Sequence, residues 1–145
     1  MYLANSTWPD IAFAVSLLAR HSATPTKRHW KGVKNIMRYL NGTKDLGLFL
    51  QRKTDLSMIG YADPHNARSQ TGFVFLHGGT AISWKSSKQT LVATSTNHSE
   101  ITALYEASCK CVWLRRMISG IQQSCGIGSI EAPTIIYEDN ASCIV

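Results

Sequence analysis

Apolar residues recur at helical spacing through the first forty positions of this chain. They then alternate or run together in short stretches, and return to helical spacing between Asn97 and Ile121. Ile11, Ala14, Val15, Leu18 and Ala19 share one helical face, predicting a helix opened by Trp8-Pro9-Asp10, capped by Thr7 or Ser6 and ended by "HSATPT". Trp30, Val33, Met37 and Leu40 form a stripe on a second helix, expected from about Thr24-Pro25-Thr26 to Asn41-Gly42. Strand patterns follow at Leu46–Leu50, Leu56–Asp63, Thr71–Gly78 and Thr80–Ser86, the last two joined as a hairpin through Gly78-Gly79. A long helix is then expected from Asn97 to Ile121, capped by Ser95 or Thr96, with Ile101, Leu104, Cys111, Leu114, Ile118 and Ile121 inward. The final run, Thr134 to Tyr137, reads as a strand buried on both faces. Phe73, Phe75, Trp84 and Trp113 lie within apolar patterns and are expected in the core.

Composition narrows the class. One domain's worth of chain, 145 residues with 44% hydrophobic, supports a real core. Cys109, Cys111, Cys125 and Cys143 contain no C-x-x-C pair, which argues against a zinc module or a disulfide framework and for a reduced, intracellular setting, cytoplasmic or nuclear. The longest apolar run, "IAFAVSLLA", falls short of the ~20 residues a membrane helix needs, so no membrane partner is expected. Ser99 and His98 are adjacent and would diverge on a helix, without the glycines of a nucleophile elbow, so a serine hydrolase is not indicated.

Charge divides the chain. Residues 1–53 carry nine Lys/Arg against two Asp, whereas residues 54–145 carry six against seven acids. A boundary is therefore placed between a basic helical segment, 1–53, and a strand-rich domain, 54–145. Lys27, Lys31, Lys34 and Arg38 form a basic stripe on the second helix, without interleaved acids. Such a stripe is either a solvated face or a ridge for phosphates.

Three carboxylates stand at element ends. Asp63 closes the first strand of the second segment, Glu100 lies in the first turn of the long helix, and Asp139 follows the final strand. Glu138 is the immediate neighbour of Asp139, and successive strand residues point to opposite sides. If the three converge, their oxygens suit Mg²⁺, and two such ions about 4 Å apart can activate water and stabilise a leaving oxygen in phosphodiester cleavage.

The motifs "GYAD", "SQTGFVFLHGGTAISWKSSKQTLVATSTNHSEITALYEA", "VWLRRM" and "IIYEDNASCI" together resemble the ribonuclease H segment of a copia-type LTR-retrotransposon polyprotein. The N-terminal "YLANSTWPDIAFAVSLLARHSATPTKRHWKGVKNIMRYLNGTKDLGL" resembles the end of the reverse transcriptase and the connection before that segment. The resemblance implies an α/β, ribonuclease H-like architecture: a mixed sheet of antiparallel strands followed by a parallel strand with helices, incomplete at the C-terminus and preceded by two helices. It implies Asp63, Glu100 and Asp139 as catalytic metal ligands for two Mg²⁺, or Mn²⁺, in hydrolysis of the RNA strand of an RNA–DNA hybrid. The implied partners are that hybrid or other nucleic acid and the remainder of the polyprotein. In the geometry of the family these motifs resemble, Lys85 and Lys88 near the hairpin's exit, and Asn140 at the start of a following helix, are further candidates for nucleic acid contact.

Three departures from the family pattern lead to an expectation of lost or weak cleavage by this chain. "GYADPHNARSQTG" runs directly from Asp63 into Pro64, where the family has a longer loop, and proline supplies no backbone donor to a sheet. The sequence stops at Val145, soon after Asp139, ahead of the family's last strand, last helices and fourth metal-site residue. Trp8 stands where the family commonly has a basic residue. The alternative expectation is a remnant that binds nucleic acid without cleaving it, or one without a molecular task.

Overall fold

In the computed structural model, residues 2–50, 57–63, 70–89, 95–127 and 132–138 are described, apart from the Thr96 side chain. Strands β1 (Met58–Asp63), β2 (Gln70–His77) and β3 (Thr80–Lys88) form an antiparallel meander, and β4 (Ile135–Tyr137) adds to β1 in parallel. The order across the sheet is β3-β2-β1-β4. Gly78 and Gly79, with φ of 58° and 83°, make the β2–β3 turn, where two successive left-handed residues match the sheet's twist.

Helices cover both faces. Alternation along β1 buries Met58, Gly60 and Ala62 on one side and leaves Ile59, Tyr61 and Asp63 on the other. Helix α4 (Thr96–Ser124) packs on the first side, and Ala107, Cys111 and Leu114 join Met58, Ala62, Phe73 and Phe75 in one core. Helices α1 (Tyr2–Ser6) and α2 (Pro9–Ala19) reach the other side: Trp84 donates from Nε1 to the Ala4 carbonyl at 2.8 Å, and Arg20 donates to Gln70. The exposed helix α3 (Lys27–Gly42) lies against α2 and buries no residue fully.

Several expectations hold and several are corrected. Thr26 caps α3 in a capping box with His29, and Ser95 caps α4. At α2 the cap is Trp8, without a side-chain bond; Thr7 instead donates to the Leu3 carbonyl and closes α1. The expected α2 face is rotated, so that Ile11, Ala12 and Ser16 are buried while Ala14, Val15, Leu18 and Ala19 are half-buried. Residues Leu46 to Leu50 form no strand: no ladder partner lies beside them among the described residues, and the Thr80 hydroxyl bonds the Phe49 carbonyl. The inner line of α4 is Ser99, Ala103, Ala107, Cys111 and Leu114, leaving Ile101 and Ile121 exposed, because small side chains allow the helix close to the sheet. Strand β4 is not doubly buried. It holds one edge of the sheet, with Ile135 54% and Tyr137 49% exposed. Phe73 and Phe75 are core residues, Trp84 is half-buried and Trp113 is exposed.

Candidate functional site: the carboxylate end of the sheet and its cationic surroundings

Strands β1 and β4 run in parallel, so their carboxyl ends lie at the same end of the sheet. Helix α4 starts there too. Gln89, just after β3, donates from Nε2 to the Ser99 carbonyl at 3.1 Å and ties the first turn of the helix to that end. Arg115 ties the opposite end, donating from Nη1 to the Ala132 carbonyl at 2.8 Å and to Thr134 Oγ1 at 2.9 Å ahead of β4. The topology thus brings the tip of β1 and the start of α4 to the place where open α/β sheets gather ligands.

Of the three expected carboxylates, Asp63 is the exposed last residue of β1, paired with Gly72. Glu100 is half-buried in α4 with its Oε2 shielded from solvent, and because the helix begins at Thr96 it lies just past the first turn in which it was expected. Asp139 and Asn140 lie outside the described residues. Asp63 and Glu100 share an end of the sheet, yet Asp63 falls on the β1 side turned away from α4, where it lines a cleft of about 460 Å³ with Pro9, Phe13, Tyr61 and Trp84. Among the described residues no three His, Cys, Asp or Glu cluster as a metal site. The oxygen donors of Asp63 and Glu100 fit Mg²⁺ by type. Tyr61 and Tyr137 stack across β1 and β4 with ring centroids 5.3 Å apart, on the same side as Asp63.

The cationic candidates are all at the surface. Lys27, Lys31, Lys34 and Arg38 are exposed along α3, where Arg38 donates to Asn35 Oδ1 at 3.3 Å. Lys85 forms an ion pair with Glu106 at 2.8 Å, and Lys88 is exposed at the end of β3. At the start of α3, His29 stacks on His21 with centroids 4.0 Å apart; partial burial, then the neighbouring charges of His21 and Arg28, hold its pKa below the usual imidazole value. Near the helix's other end, Tyr39 donates to Asp10 Oδ2 at 2.6 Å, a bond that raises the phenol's pKa.

Sequence reasoning missed the anchoring roles of Gln89 and Arg115, and it missed the Arg20–Gln70–Ser86 chain that joins α2 to β2 and β3. No local pattern carries these contacts, since each joins segments whose packing depends on the whole sheet. Cys109, Cys111 and Cys125 are free, and Cys143 lies outside the described residues. No helix among the described residues is long and apolar enough to cross a membrane.

The arrangement defines an α/β domain with a mixed four-stranded sheet and helices on both faces, compatible with a ribonuclease H-like fold. Among curated proteins, the chain is 38% identical over 120 residues to the secreted RxLR effector protein 161 of Plasmopara viticola, covering 79% of this chain and 84% of that protein. It is 38% identical over 151 aligned residues to the retrovirus-related Pol polyprotein from transposon TNT 1-94 of Nicotiana tabacum, covering 99% of this chain and 11% of the polyprotein. It is 35% identical over 147 aligned residues to the corresponding polyprotein from transposon RE2 of Arabidopsis thaliana, covering 96% of this chain and 10% of the polyprotein. No family model and no solved structure matches. The chain belongs to the family of copia-type retrotransposon Pol polyproteins and their relatives, and it spans about a tenth of the length of the polyproteins it matches.

Proposed function

We propose that this polyprotein fragment carries a ribonuclease H-like domain that holds RNA–DNA hybrid, or another nucleic acid, and cleaves the RNA strand weakly or not at all. The observation carrying the reading is the placement of Asp63. It reaches the same end of the sheet as Glu100, as the ribonuclease H resemblance implies, but on the β1 side turned away from α4. A one-residue difference in strand register exchanges the two sides, so a small local change at the shortened loop would suffice to part Asp63 from the other ligands. In the family reading Asp139 completes the set, and Mg²⁺ held by the three carboxylates would supply an activated water. Binding does not need that geometry. Phosphate attraction requires only accessible cations, and α3 presents Lys27, Lys31, Lys34 and Arg38 without interleaved acids.

The test uses a labelled RNA–DNA hybrid with Mg²⁺ or Mn²⁺, beside an Asp139→Asn variant that keeps the shape and removes the charge. The expected result is RNA cleavage within about two-fold of that variant, from a protein shown to be folded by circular dichroism; a difference of tenfold or more would restore the hydrolase reading. Binding is read separately, by titrating the same hybrid without divalent metal across a range of salt. If the four α3 cations each meet a phosphate, log K falls against log salt with a slope of about −3.6, and Lys31→Ala makes the slope shallower by about 1. A slope near zero would sink the binding reading.

A further inference from the structure

Strand β3 is the edge of the sheet opposite β4, and its outer side pairs with no strand among the described residues. A cleft of about 1090 Å³ runs along it, lined by every residue from Ser83 to Lys88. Successive strand residues point to opposite faces, so a cavity touching all six follows the strand's edge rather than either face. The walls agree: Asn5 from α1, Ser16 from α2 and Arg20 just past the end of α2 line it from one layer, and Tyr105, Lys110 and Trp113 from α4 line it from the other. The edge therefore lies in a trough between the two helical layers, about 20 Å long at ~3.3 Å per residue.

The trough is cationic. Arg20, Lys85, Lys88 and Lys110 line it against a single carboxylate, Glu106, which Lys85 already pairs at 2.8 Å. Lys110 rests its amine 3.9 Å from the centre of the exposed Trp113 ring, a flat apolar wall with a positive charge beside it. Edge strands are ordinarily blunted by charge, bulges or cover, because their open backbone groups recruit another strand. Here the charges flanking the opening are positive apart from Glu106, which repels a like-charged second copy and attracts an acidic segment.

We infer that this trough is a docking site for an acidic peptide in extended conformation, which adds to β3 as a fifth strand. Backbone hydrogen bonds along β3 hold the peptide, while its alternate side chains face Arg20 and Lys88 on one layer and Lys85, Lys110 and Trp113 on the other. This inference is independent of hybrid binding, which was assigned to α3.

The probe is a fluorescein-labelled octapeptide alternating Glu with Val, titrated into the full chain and read by polarisation. Its control has the same charge but proline at two of the valine positions, which removes backbone donors and prevents strand pairing. The expected result is at least tenfold weaker binding of the proline control, and at least tenfold weaker binding of the first peptide by Lys88→Glu and by Lys110→Glu, each confirmed folded by circular dichroism. Equal binding of the two peptides would reduce the site to bulk charge attraction and overturn strand addition. Failure of both to bind would overturn it as well. Displacement of the peptide by a short single-stranded DNA that binds more tightly, and is weakened by the same two variants, would reassign the trough to nucleic acid.

Discussion

Phe75→Ala is expected to cost about 3–5 kcal/mol, the range for deleting a well-packed aromatic ring. Phe75 is 0% exposed, sits in the interior strand β2, and meets Phe73 with ring centroids 5.6 Å apart. It belongs to the cluster in which the fully buried residues of α4 are Ala107, Cys111 and Leu114, two of them small, so few neighbours there can collapse into the space left behind. Domains of this kind are typically stable by about 5–15 kcal/mol, so this one truncation removes a large share. Urea unfolding followed by circular dichroism reads it: the midpoint should fall sharply while the slope stays unchanged. A loss below about 1 kcal/mol would place the core somewhere else.

Gly60→Ala should destabilise by about 1–3 kcal/mol, the usual cost of forcing extra volume into a packed core. The position is unusual because its backbone is ordinary and its surroundings are not. A Cβ there would stand 2.6 Å from Phe75 Cε1 and 3.3 Å from Ile136 Cγ1, the first closer than carbon atoms approach. Gly60 pairs with Phe75 on β2 and with Ile136 on β4, so the ring lies over the glycine and occupies the volume a side chain would take. The two substitutions should therefore not add. In a Phe75→Leu background the methyl of Gly60→Ala meets a smaller neighbour, and its cost should drop by at least half in a double-mutant cycle. Additive costs would mean that the ring does not set the requirement for glycine.

Local chemistry made much of this fold readable and long-range geometry hid the rest. Gly78-Gly79 and Ser95 marked their turn and cap, and Thr24-Pro25-Thr26 marked the start of α3, because each acts within a few residues of itself. The segment Leu46 to Leu50 has a strand's composition but pairs with no strand among the described residues, and composition carries no information about partners. On α4, large apolar residues pointed to one face, whereas the helix settles through Ser99, Ala103 and Ala107 because close approach to the sheet requires small side chains. The same limit applies to the candidate site. The order of Asp63, Glu100 and Asp139 along the chain is visible in the residues, but the side of β1 that Asp63 takes depends on a one-residue register that no pattern near Pro64 reveals. The trough along β3 is assembled from α1, α2, β3 and α4, and only the unusual run "SWKSSK" hinted that this strand ends in polar and charged residues.

The parallel pairing of β1 with β4 also sets a timetable. Ile59 pairs with Ile135, so β1 must wait for the whole of β2, β3 and α4 to be synthesised before its neighbour exists. At ~5–20 residues per second, that interval lasts about 4–15 s, long after a hairpin joined by Gly78-Gly79 could have closed. Throughout it the emerging chain presents an unfinished sheet, and whatever reaches the open side of β1 first, chaperone or aggregate, competes with β4 for the place.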